Sequence, residues 1–90
     1  MAASAFEKFC AAIRDDEQGG RHFSHAFFSF GKFRVQLLGR YWFWVDDKES
    51  REWEYAADSW EEMFALDVEQ AGMTLREMME LVPAAELEIE

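Results

Sequence analysis

The sequence predicts a two-layer α+β domain: a three-stranded antiparallel β-meander with an N-terminal helix and two short C-terminal helices packed on one face. Three observations predict it. Apolar residues recur at helical spacing near the start of the chain, the period changes to two after Gly31, and two capping boxes follow the alternating segment. Ninety residues accommodate one such domain, spanning 1–90, with no second core.

The first helix begins at Ser4 and runs to about Asp16, because Phe6, Phe9, Cys10 and Ile13 fall at i, i+3, i+4 and i+7 and form one apolar stripe. Gly19-Gly20 ends it. The Phe-rich stretch from Arg21 to Phe30 has no clean period and is open to three readings: an irregular connection, a further helical turn or a first strand. In the meander, Phe33, Val35 and Leu37 alternate with Arg34, Gln36 and Leu38, and Gly39-Arg40 makes the hairpin turn. Tyr41, Phe43 and Val45 then alternate with Trp42, Trp44 and Asp46. The polar run from Asp46 to Ser50 forms a second turn, and Arg51 to Tyr55 a third strand with Trp53 and Tyr55 on one side.

Ser59 with Glu62, and Thr74 with Glu77, each place a hydroxyl at a helix N-cap and a carboxylate three residues on. The first pair opens a helix carrying Trp60, Met63 and Phe64, and the second a helix whose Leu75, Met78, Met79 and Val82 again form one stripe. Gly72 separates the two, and Pro83 stops the last one. Residues 83–90 alternate toward the end and read as an edge strand or a frayed tail.

Nine Lys+Arg against nineteen Asp+Glu give a net charge of −10, while half the residues are apolar, which excludes a disordered acidic tail. No apolar run approaches the roughly 20 residues a spanning helix needs. Glu7 and Lys8 interrupt the first apolar stretch, so no secretory leader is expected, and the single cysteine suits a reducing compartment, the cytoplasm of a bacterial host.

The charge is unevenly placed. Residues 1–45 hold six basic and four acidic side chains, a net of +2; residues 46–90 hold three basic and fifteen acidic, a net of −12. Some carboxylates serve as helix caps, and a solvated surface accounts for others. Crowding of this degree costs stability through self-repulsion and points to an anionic surface that meets a cationic one. Nucleic acid is disfavoured as a direct partner, since its phosphates would be repelled. A basic protein, such as one that handles nucleic acid, is the complement. Strand parity sharpens this, because burying Phe43 and Val45 puts Trp42 and Trp44 on the opposite face beside Glu52 and Glu54. There the tryptophans form an interface, pair two copies as a homodimer, or lie beneath the Phe-rich segment 23–30 folded back over them. The expected partner-binding set is Asp46, Asp47, Glu49, Glu52, Glu54, Glu61, Glu62, Trp42 and Trp44.

Cys10, His22 and His25 lie within sixteen residues, with Asp15 or Asp16 near, and a thiolate with two imidazoles is a donor set for Zn²⁺. Against this, Cys10 occupies the apolar stripe of its helix, where a buried thiol is ordinary. No glycine-rich phosphate loop is present, no separated carboxylate pair stands out, and the expectation is a non-enzyme without a cofactor.

The segment from Lys32 to Val82, with Tyr-Trp-Phe-Trp-Val-Asp-Asp at 41–47, Asp-Ser-Trp-Glu-Glu-Met at 58–63 and Gly-Met-Thr-Leu-Arg-Glu at 72–77, resembles small proteins of bacteriophages and integrative elements. In size and charge the chain also resembles phage-encoded anti-CRISPR inhibitors. That likeness implies a stoichiometric inhibitor that binds a Cas effector, as a DNA mimic or as an allosteric block, and it carries over no individual residue. A small zinc-stabilised interaction module and an acidic antitoxin or immunity protein are the alternatives.

Overall fold

The computed structural model of the chain describes residues 3–20, 22, 24–47, 49 and 51–90. Helix α1 (Ala5–Glu17) starts at a capping box in which the Ser4 hydroxyl accepts from the Glu7 N–H while the Glu7 side chain accepts from the Ser4 N–H. The strands are β1 (Ala26–Phe30), β2 (Phe33–Gly39), β3 (Trp42–Asp47) and β4 (Glu52–Ala56). Helix α2 (Trp60–Ala65), a two-residue hairpin of β5 (Asp67–Val68) and β6 (Met73–Thr74), and helix α3 (Leu75–Leu81) follow. A 3₁₀ turn (Ala84–Glu86) leads into β7 (Glu88–Ile89). No helix among the described residues is long and apolar enough to cross a membrane.

The α+β class holds, but the sheet is larger than a three-stranded meander. It has five antiparallel strands in the order β4-β3-β2-β1-β7. The Phe-rich stretch supplies β1, registered as Ala26 opposite Leu37 and Phe30 opposite Phe33. Residues Ala26–Phe30 are thus strand and do not fold back over the sheet; Arg21 and Phe23 lie outside the described residues, as do Lys48 and Ser50 of the second predicted turn. Alternation divides β1 as it divides the others, with Ala26 and Phe28 buried and Phe27 and Ser29 on the outer side.

The core lies between the sheet's inner face and the helices. Phe28, Val35, Leu37, Phe43 and Val45 of the sheet meet Phe9, Met63, Leu75, Met78 and Met79, all buried. Phe43 also stacks on its cross-strand partner Tyr55, ring centroids 4.9 Å and planes 11° apart. Tyr41, expected as a strand residue, instead belongs to the β2–β3 turn and adopts a left-handed conformation with φ 70°. Such a conformation costs a non-glycine residue on the order of 1–2 kcal/mol. Two contacts hold it there: its ring meets Trp60 edge-on at 5.0 Å, and its carbonyl accepts from the Ala57 N–H at 2.8 Å.

Of the two readings of residues 83–90, the edge strand is the one observed. Ala5 N–H donates to the Val82 carbonyl at 2.7 Å and Ala84 N–H to the Ala3 carbonyl at 2.9 Å, stitching the start of α1 to the chain's end. Lys8 Nζ donates to the carbonyls of Ala84 at 3.2 Å and Leu87 at 2.7 Å. Leu87 is 1% exposed, and beyond it β7 pairs with β1, Ile89 opposite Ala26. Deleting that side chain with Leu87→Ala should therefore cost about 2–4 kcal/mol in urea denaturation, as for other buried leucines. A change within experimental error would mean that residues 83–90 are a dispensable tail.

Candidate functional site

All three helices bury their apolar sides against one face of the sheet. On the other face, direct cross-strand partners form a row across the five strands: Glu88, Phe27, Gln36, Trp44 and Glu54. A second row runs Ser29, Arg34, Asp46 and Glu52. Trp42 lies one pleat along β3 from Trp44, and the two indoles meet edge to face, centroids 5.7 Å and planes 90° apart. Aromatic side chains thus occupy the middle of the face and carboxylates its two edges. Phe27, stacked on His25 at 5.1 Å, adds to the aromatic centre.

Several polar atoms on this face are buried beneath neighbouring side chains without a hydrogen-bond partner among the described residues: Trp42 Nε1, Trp44 Nε1, His25 Nε2 and Asp46 Oδ1. Buried donors and acceptors ordinarily find partners, so their concentration on one face is informative. Arg34 lies 3.7 Å from the other Asp46 oxygen, which leaves Oδ1 unmatched. Beside Trp44, the exposed carboxylates of Glu52 and Glu54 make no ion pair among the described residues. Together with Trp53 they line a small cleft of about 150 Å³.

The predicted binding residues divide among three places. Trp42, Trp44, Asp46, Glu52 and Glu54 share the outer sheet face. Asp47 belongs to the interior of the β3–β4 turn: its Oδ1 accepts from the N–H groups of Glu49 at 2.9 Å and Arg51 at 3.0 Å, and its Oδ2 from Arg51 Nε at 3.0 Å. Its side chain is 2% exposed, so its charge is matched inside the turn and not offered to a partner. Glu49 stays exposed at the turn and pairs with Arg51 at 3.3 Å. Glu61 and Glu62 are on α2, in the helical layer, and do not join the tryptophans. Glu62 accepts from the Asp58 N–H at 3.2 Å while its own N–H donates to the Ser59 hydroxyl at 3.1 Å, a capping role displaced by one residue from the expected box.

The three candidate metal ligands are in different settings. Cys10 lines a groove of about 570 Å³ in the helical layer with Phe6, Trp60, Phe64 and Arg76. Burial pushes its thiol above the ordinary range despite Arg14 and Arg76, which disfavours the thiolate a metal or a nucleophilic reaction needs. His22 pairs with Asp16, and His25 Nδ1 lies 3.6 Å from Glu90 on the sheet's short edge. Among the described residues no group of three or more His, Cys, Asp and Glu is gathered to hold a metal ion. Elemental analysis of protein purified without a histidine tag should return zinc well below one atom per chain; a stoichiometric content would restore the zinc-module reading.

Asp47 also has a pH signature. Burial raises its carboxyl, but the Arg51 and Glu49 N–H groups and the Arg51 guanidinium more than reverse this and hold it below the ordinary carboxylate range. A carboxyl depressed on folding stabilises the fold above its unfolded pKa, and the contribution is lost as pH falls through the folded value. Asp47→Asn should thus lower the urea midpoint at neutral pH, and the gap to the wild type should close on acidification. A gap of constant size across that range would show that the carboxylate's charge is not what the turn uses.

Comparison with protein-family models, with characterised proteins and with solved structures finds no match to this chain.

Proposed function

We propose that this chain is a non-catalytic protein inhibitor whose acidic surface binds a basic, nucleic-acid-handling protein, such as a CRISPR–Cas effector, and blocks its binding of DNA or its activity. One observation carries the reading: a sheet face left open by the helices, with Trp42 and Trp44 at its centre and, beside them, the exposed carboxylates of Glu52 and Glu54, unpaired among the described residues. Partly exposed tryptophans are what interface hot spots are built from, and flanking charge sets the sign of the partner. The net −12 of residues 46–90 adds a field that speeds encounter with a cationic surface and repels free nucleic acid. The groove in the helical layer gives no comparable support for catalysis, since the half-buried thiol of Cys10 is held above its ordinary range.

The test measures binding of purified Cas effectors to the immobilised chain by interferometry, with and without target DNA, at low and high salt. One effector should bind, salt should weaken the complex, and target DNA should compete. Glu52→Lys with Glu54→Lys should lower the affinity by more than about tenfold, with far-ultraviolet circular dichroism unchanged. An effector complex indifferent to this charge reversal would overturn the assigned surface, and failure of every effector to bind would overturn the choice of partner.

A further inference from the structure

On the open sheet face, we infer that the edge formed by Trp44, Glu52 and Glu54 receives an arginine side chain of the protein partner, its guanidinium stacked on the indole and hydrogen-bonded to the two carboxylates. This rests on the acidic-surface reading above and names the chemistry it recognises.

Size is the first argument. At about 150 Å³ the cleft is well below the ~300 Å³ at which pockets for small molecules and cofactors begin, and it suits the end of one side chain. Its chemistry is the second. Glu52 and Glu54 are two residues apart on one strand and point to the same face, so their carboxylates flank the space between them. Trp44 is the direct cross-strand partner of Glu54 and lines the same cleft with its indole. A carboxylate pair next to an indole favours a planar cation with donors on several edges, which describes guanidinium better than ammonium. The molecule already holds one arginine in this manner: Arg51 bonds the Asp47 carboxylate through Nε while its Cζ lies 5.7 Å from the Trp53 ring centroid.

Charge argues against a second copy as the occupant. The face carries Glu52 and Glu54 along one edge and Glu88 along the other, so a symmetric pairing of like faces brings carboxylate edges together.

Nuclear magnetic resonance titration of the labelled full chain tests this, following the indole N–H signals of the four tryptophans. The probes are a short peptide alternating arginine and glycine and its lysine and citrulline counterparts. The arginine peptide should shift the Trp44 signal while that of Trp60, in the helical layer, stays in place, and should bind about three- to thirtyfold more tightly than the lysine peptide. Trp44→Leu should reduce arginine binding to the lysine level. Glu52→Gln with Glu54→Gln, a near-isosteric change at exposed positions, should weaken it by about tenfold or more. Equal binding of arginine and lysine peptides, or an arginine preference that survives these substitutions, would overturn the cleft and leave the acidic surface standing. Failure of both cationic peptides to bind at low salt would overturn the cleft and the acidic surface together. Dimerisation of the free chain through this face, seen as concentration-dependent broadening of the Trp42 and Trp44 signals, would replace the arginine with a second copy.

Discussion

The register of β3 is the constraint on which the rest of the molecule depends. Phe43 and Val45 are fully buried, with Phe43 stacked on Tyr55 and Val45 opposite both Val35 and Trp53. A slip of one residue would turn both outward and drive Trp42, Trp44 and Asp46 into the helical layer. Two indoles and a carboxylate would then replace Phe43 and Val45 in the core, so the hydrophobic term fixes the strand. The outer face is the unavoidable complement. Its tryptophans are presented because the residues between them are needed in the core, and their positions are as firmly held as the core itself.

Electrostatics distributes the remaining acidic residues. Glu7, Glu62 and Glu77 serve at helix N-termini, where backbone N–H groups stabilise carboxylates. For Glu77, bonding to the Thr74 backbone and side chain outweighs burial and holds the carboxyl below the ordinary range. Asp47 organises its turn, and Asp46, Glu49 and Glu80 lie near arginines. A net charge of −10 is therefore not spread evenly over function. Part of it builds the fold, and what Glu52 and Glu54 retain gains meaning from the tryptophan beside them.

Much of this was legible in the residues, and the exceptions have physical causes. Helical stripes and hydroxyl–carboxylate pairs located α1, α2 and α3 because those signals are local. Strand β1 was obscured by phenylalanines on both sides of it: Phe27 and Phe28 point to opposite faces, yet nothing in their chemistry distinguishes inner from outer. The two-residue strand β7 exists through tertiary pairing, held by the Lys8 bonds and by Leu87 in the core. Trp42, Trp44, Glu52 and Glu54 were placed together by parity alone. Asp47 was misassigned as a surface charge because an aspartate at a turn reads alike whether it faces water or folds back onto the N–H groups two and four residues on.

The carboxylates at the edges of the outer face bear on what would cover it. An apolar patch by itself is satisfied by any apolar surface, including a copy of itself. The exposed carboxylates of Glu52 and Glu54 beside Trp44 impose a further condition. A covering surface that offered only aliphatic side chains would strip water from these carboxylates without a partner, at a cost of about 1–3 kcal/mol or more for each. Under the proposed function, a protein segment with cationic donors for the carboxylates meets the condition. Duplex or single-stranded nucleic acid supplies acceptors but sets phosphates against Glu52, Glu54 and Glu88. Shape alone leaves the occupant of this face open; under the proposed function, the sign of its edges is what favours a cationic polypeptide.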